Sequence, residues 1–348
     1  MKSISGAVLA VFLLGCRTRE HASAANKRLD VYWIDVEGGS SVLMVTPASE
    51  SVLIDSGYPG DRDADRVKKA CDAAGVKKID HMLVTHFHAD HYGALADILK
   101  RIPIGNLWTR DVAHAAEKER NDPKVAVLTE AKVDERHSVM VGQTLPLKQA
   151  PGAAALALRF IGADKTFIDD ENAKDNAAIC AEGTPKPEDT TDNANSVVSL
   201  VTLGEFRFFV GGDLTWNLES ELVCPKNRVG EIDVYQIDHH GLDKSNNPVL
   251  IKSLAPTVAV VNNGPRKGGE AGAFATLKAT PSIQDIYQLH RNVNLPADQN
   301  PPPAFIANME ENGDAGNLVK MSVDPTGQTY VVSIPSTKTQ KTYATRRH

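Results

Sequence analysis

The stretch Ile79-Asp80-His81-Met82-Leu83-Val84-Thr85-His86-Phe87-His88-Ala89-Asp90-His91 carries an apolar run directly into His86, His88, Asp90 and His91, four metal-ligand side chains within six residues. Residues 79 to 85 read as a short strand and Gly93 to Lys100 as a helix. The cluster therefore lies on a strand-to-helix loop, the kind of position where enzymes place chemistry. In an extended segment residues 86, 88 and 90 share one side, and His91 swings in as the chain turns into the helix. Neutral imidazole together with carboxylate suits zinc or a similar first-row ion. One histidine alone would read as an ordinary surface or core residue, but four such groups at H-x-H-x-D-H spacing have little structural use other than a shared ion.

Strand ends recur on both sides of the cluster. Leu29 to Val36 alternates and reaches Gly38-Gly39, Ser41 to Val45 resumes the apolar run, and Ser51 to Ile54 ends on Asp55-Ser56-Gly57, so three strands precede a helix over Arg62 to Ala74. Asp55, a carboxylate at a strand end, is placed to hold a ligand histidine in one tautomer or to cap the turn before Gly57. Downstream, Ile104 to Trp108 is a strand, and the charged, Ala-rich Ala113 to Glu135 is predicted helical. A second strand-rich region comprises Leu156 to Ile161, Ser196 to Leu203 and Phe206 to Val210, the last ending on Gly211-Gly212-Asp213. Val234 to Asp238 ends on His239-His240-Gly241, and Thr257 to Val261 on Asn262-Asn263-Gly264. Ser282 to His290 is predicted helical, Val319 to Val323 and Thr329 to Ile334 form a closing hairpin, and residues 336–348 are a flexible basic tail. The acidic, Pro-containing segment 164–194 is a surface insertion, as is the region 110–137. The pattern predicts one catalytic domain over residues 27–335.

At 348 residues the chain has ample material for a core, and its net charge of −6 argues against stable sequence-independent binding to duplex DNA. Lys2, an apolar segment from Ile4 to Leu14 and then Gly15-Cys16 look like a bacterial export signal, too short for a membrane span. Leu13-Leu14-Gly15-Cys16 resembles a lipobox, with Cys16 as the lipid anchor of a periplasmic or cell-envelope lipoprotein; conventional cleavage near Ala25 would give a secreted protein instead. Of the other cysteines, Cys180 and Cys224 can bond in an oxidising compartment, and Cys71 is expected as a buried thiol.

The H-x-H-x-D-H cluster, Leu53-Ile54-Asp55-Ser56-Gly57 and Gly211-Gly212-Asp213 together resemble the metallo-β-lactamase superfamily. More narrowly, Asp35-Val36-Glu37-Gly38-Gly39-Ser40-Ser41, Asn195-Ser196-Val197-Val198-Ser199-Leu200, Gly212-Asp213 and Asp238-His239-His240-Gly241 are similar, in order, to the hydrolase domain of ComEC competence proteins. The resemblance implies an α/β fold, the four-layer αβ/βα sandwich, with a metal site along one edge. It also implies that His86 and His88 hold one metal and Asp90 and His91 a second, with Asp213 bridging. One of His239 and His240 completes the second site; His240 is the expected ligand, with His239 facing the substrate. Where many members carry a further histidine for the first site, this chain has Asn195-Ser196, so the first ion is expected to be the more weakly held.

A metal pair lowers the pKa of bound water toward ~7, so hydrolysis needs no side-chain nucleophile, and Asp90 is expected to orient the attacking group. Two Zn2+ ions are expected, with Mn2+ or Fe2+ as alternatives. The favoured substrate is a phosphodiester in a small molecule or oligonucleotide; the alternatives are a β-lactam or lactone hydrolase, and a non-catalytic zinc-binding lipoprotein. Arg266, Lys267 and His290 are candidate substrate contacts, each also readable as an ordinary surface group. ComEC proteins join this domain to a membrane channel, and no channel segments are read in this sequence, so the competence role is not expected to carry over.

Overall fold

Leu29–Trp33 shows how the layers form: Val31 and Trp33 point into a core between two sheets, while Tyr32 points to the opposite face, against an outer helical layer. A strand covered on both faces reads as a nearly continuous apolar run. The computed structural model describes residues 27–171, 173–311 and 316–347, so the export signal and Cys16 lie outside the described residues.

The first sheet has nine strands in the order 339–344, 329–334, 319–323, 29–33, 42–45, 51–54, 79–83, 104–109, 135–138. It is antiparallel up to Ser51–Ile54 and parallel beyond. The second has eight strands in the order 306–308, 285–290, 258–261, 234–236, 206–210, 198–203, 156–163, 166–167, parallel from Phe206–Val210 to Ile306–Asn308. The sheets pack face to face through Trp33, Phe160, Phe208 and Tyr330. Trp33 meets Phe208 edge-on at 5.5 Å, and its Nε1 donates to Gln236 Oε1 of the other sheet at 3.0 Å. Helix Asp61–Ala73 covers the first sheet, and helices Trp216–Val223 and Pro248–Leu254 cover the second. This is the expected αβ/βα sandwich, with the loops at the ends of the parallel strands gathered on one edge.

Three sequence expectations are corrected. Ser282 to His290 is not helical: Asp285–His290 is a strand, because Tyr287 and Leu289 enter the inter-sheet core while Ile286 packs on the outer side, a period of two. Ala113 to Glu135 is not one helix but four short pieces, Val112–His114, Glu117–Arg120, Pro123–Ala126 and Val127–Glu130. Pro123 has no N–H to continue a helix, and the Asp111 and Asp122 side chains cap new turns. The tail is not frayed: Thr339–Ala344 pairs in register with Thr329–Ile334, extending the folded unit past residue 335. Tyr343 stacks on Tyr330 and donates to Asp285 Oδ2 at 2.7 Å, which holds this edge strand.

The region 164–194 is largely exposed but tethered, by a Cys180–Cys224 disulfide and by Asn176, which donates to Val223 O. Its end departs from a surface insertion, since Asp192 and Asn193 are buried. Cys71 is a buried thiol, as expected. Among the described residues no helix is long and apolar enough to cross a membrane.

Candidate metal centre

Strand Ile79–Leu83 delivers the chain to Thr85, where the cluster begins. His88 is extended, with φ −88° and ψ 146°, and Ala89–Tyr92 makes one helical turn that brings Asp90 and His91 inward. The backbone of this turn is held from outside: Ser40 N donates to Asp90 O at 3.0 Å and Ser56 N to His91 O at 2.6 Å. Gly39 permits the approach, because a Cβ there would lie 2.5 Å from Asp90 O.

Two sets of ligand atoms converge. One contains Asp90, His91, Asp213 and His240, the other His86, His88 and Asp213, each set within 4.8 Å of one another. His91 Nε2 lies 3.2 Å from His240 Nε2 and 3.3 Å from Asp213 Oδ1. His240 Nε2 lies 3.3 Å from Asp90 Oδ2. On the other side, His86 Nε2 is 3.1 Å from His88 Nδ1 and 3.7 Å from Asp213 Oδ2. Asp213 thus belongs to both sets.

Positioning comes from behind. Asp55 Oδ2 meets His91 Nδ1 at 2.8 Å, and Asp55 is itself fixed by Thr85 N at 2.8 Å and Thr85 Oγ1 at 2.9 Å. This turns His91 Nε2 toward the centre. Ser196 Oγ accepts from Asp213 N at 3.1 Å. Asn195 instead turns away, donating to Asp192 Oδ1. His239 and His240 both have left-handed backbone, φ 52° and 54°, a strain of about 1–3 kcal/mol each. Hydrogen bonds from His239 N to Gly212 O and from Gly269 N to His240 O hold the turn.

The adjacent pair divides its roles. His240 joins the ligand set; His239 does not, and its Nε2 lies 3.3 Å from Asn193 Nδ2 and 3.4 Å from Asp213 Oδ2. Ser245 Oγ donates to Leu214 O, so it accepts from His239 Nδ1 at 3.1 Å and leaves Nε2 as an acceptor. Burial lowers the His239 imidazole to about 4, against the pull of Asp213, so it is neutral near pH 7. Burial also holds His86 well below its ordinary value, as a neutral ligand requires. For Asp213 burial acts upward, but His91, His240, His239 and His86 together hold it well below the usual carboxylate range.

Of the other candidates, Lys267 reaches the centre and Arg266 and His290 do not. Lys267 Nζ contacts Asp90 Oδ2 and lies 3.2 Å from the Tyr58 hydroxyl. Arg266 is exposed and pairs with Glu311 and Asn294, because side chains of consecutive residues on this loop point apart. His290 is buried and bonds Asp35 Oδ1 at 2.7 Å; that oxygen also accepts from Glu37 N, so His290 braces the loop after Leu29–Trp33. Sequence reasoning missed Asn193, Tyr58 and Glu119, all outside recognisable motifs. It also missed Glu219, which is pushed up to about 7 by burial and sits against Asp238 beneath the two histidines. A glutamate on an amphipathic helix gives no sign that it faces inward.

The donor set fits a metal pair. Imidazole nitrogens and carboxylate oxygens face one another in a buried space, with more acceptors than protons to join them, an arrangement a cation satisfies. Residues 34–154 match the profile of the Metallo-beta-lactamase superfamily. The chain is 24% identical over 246 residues to Competence protein ComA of Neisseria gonorrhoeae, spanning 71% of this chain and 28% of that one. It is 25% identical over 181 residues to the Beta-lactamase-like protein 2 homolog of Caenorhabditis elegans, spanning 50% and 55% respectively. Among solved structures it is similar to CmlA, a diiron beta-hydroxylase from Streptomyces venezuelae, with TM-score 0.39 and 16% identity over 68% of this chain and 44% of that one. It therefore spans about half or less of the length of these curated relatives. The profile match over residues 34–154, the sandwich and the His/Asp cluster at its edge make this chain similar to proteins of the Metallo-beta-lactamase superfamily.

Proposed function

We propose that this protein is an exported hydrolase that uses two divalent ions, zinc first among them, to cleave a phosphodiester in a small molecule or oligonucleotide. The observation that carries the reading is the sharing of Asp213 between two ligand sets with Lys267 beside them, three cationic positions converging on one edge. Bound metals would supply acidity to water at near-neutral pH and neutralise a phosphate. His86, His88 and Asp213 would hold one ion, and Asp90, His91, His240 and Asp213 the other.

The chain's own groups then divide the work. Lys267 supplies a cation for a non-bridging oxygen, with Tyr58 steadying its ammonium. His239 presents an unprotonated Nε2 toward the same space and holds or relays a proton there, its ring fixed by Ser245 and Asn193. Asp90, between Lys267 and the metal ligands, orients the attacking water. Export is supported by the Cys180–Cys224 disulfide, a bond favoured in oxidising compartments, and Cys16 is the proposed lipid anchor.

Metal-loaded protein is expected to hydrolyse bis-p-nitrophenyl phosphate, with activity lost in Asp213→Asn while the circular dichroism of the fold is kept. Turnover of a chromogenic cephalosporin without diester cleavage would overturn the substrate assignment. Full metal occupancy with neither substrate cleaved would favour a zinc-binding protein without this activity.

A further inference from the structure

The short helix Glu117–Arg120 exposes three of its four residues and buries the fourth, Glu119, at 6% exposure. A buried carboxylate is costly unless something is gained from its charge. Its cationic neighbour in sequence, Lys118, is 3.9 Å away and extends into solvent, where screening leaves such a pair little strength. Glu119 Oε1 instead lies 3.4 Å from His88 Nε2, on the side of the ring away from His86. His88 Nδ1 faces His86 Nε2 at 3.1 Å. The segment bearing Glu119 is fastened to the cluster independently: Asp192 Oδ2 accepts from Phe87 N at 2.7 Å, and its Oδ1 accepts from Ala116 N at 2.9 Å. Arg110 Nη2 donates to the same Asp192 at 2.6 Å and its guanidinium lies over the Phe87 ring.

We propose that Glu119 is a positioning residue for the first metal: with an ion bound, its carboxylate, 3.4 Å from His88 Nε2, accepts a hydrogen bond from Nε2–H and so leaves Nδ1 unprotonated and aimed at the ion. This repeats, from an unrelated part of the chain, what Asp55 does for His91 with the ring nitrogens exchanged. It gives the 110–137 insertion a purpose, since the side with fewer protein ligands borrows an outer carboxylate from it.

The inference rests on the two-ion reading, and a Co2+ titration of the full chain, followed by calorimetry and visible absorption, tests both. Wild-type protein is expected to bind two ions of unequal affinity. Glu119→Ala is expected to weaken the first-site ion about 10- to 100-fold and to leave the second-site ion unchanged. Glu119→Gln, which keeps the shape and an acceptor oxygen, should weaken only that ion and by no more. The unaltered second site reports that the fold survives. First-site affinity unchanged in Glu119→Ala, or both affinities falling together in Glu119→Gln, overturns the role of Glu119. Wild-type protein that binds a single ion overturns the two-ion reading itself.

Discussion

The two halves of the metal centre are built differently. The second half takes Asp90 and His91 from one sheet's loop and His240 and Asp213 from the other, and backs His91 with a fully buried aspartate locked by Thr85. The first half takes His86 and His88 from a single loop and shares Asp213, with Asn195 turned to Asp192 rather than into the centre. An ion gripped by two ligands from each sheet is expected to be held more firmly than one to which the second sheet offers Asp213 alone, because the second sheet's edge then grips it at two points. Unequal affinity is expected from topology as well as from ligand number.

The contrast can be broken at its hinge. Asp213→Asn weakens both halves, so metal analysis should show both ions lost and diester turnover reduced by at least about 100-fold, more than loss of an outer partner would cause. Next in size, His91→Ala should release the tightly held ion and His86→Ala only the weak one; equal losses in a chelator titration would refute the asymmetry. Asp55→Asn should lower second-site affinity by about 10- to 100-fold while sparing the first, read by the same titration.

The smallest effect concerns His81, on the strand that leads to the cluster but outside the centre. Burial lowers its imidazole, with Glu50 and Asp80 pulling the other way, and its Nδ1 accepts from Trp108 Nε1 at 3.2 Å. Because its folded value lies below the ordinary 6.5, the unfolded chain binds more protons as pH falls. Its contribution is fully present above about pH 6.5 and is lost as pH falls toward the folded value. Urea midpoints of wild type and His81→Gln should therefore converge between pH 7.5 and 5.5; a constant difference would refute it.

Much of this protein could be read from local pattern. The H-x-H-x-D-H loop, Asp55 at its strand end and Asp213 after two glycines all sit where a short motif reports both residue type and local geometry. The helix expected before His290 became a strand because its apolar residues serve two layers, a fact that depends on what lies on either face. The frayed tail became an edge strand for a similar reason: Tyr343 finds Tyr330 and Asp285 only after the sheet has formed.

By itself, then, the sequence determined the candidate ligands of the centre and most of the strand ends that carry them, because ligand type and spacing over a few residues are local properties. Tertiary structure decided which of His239 and His240 joins the ligand set, that Lys267 rather than Arg266 reaches Asp90, and that Glu119 stands behind His88. His91 and His240 are separated by 149 residues and Asp90 and Lys267 by 177. Contacts over such separations are fixed by how two sheets pack and how each loop turns at their edge, and no periodicity within either segment records the other.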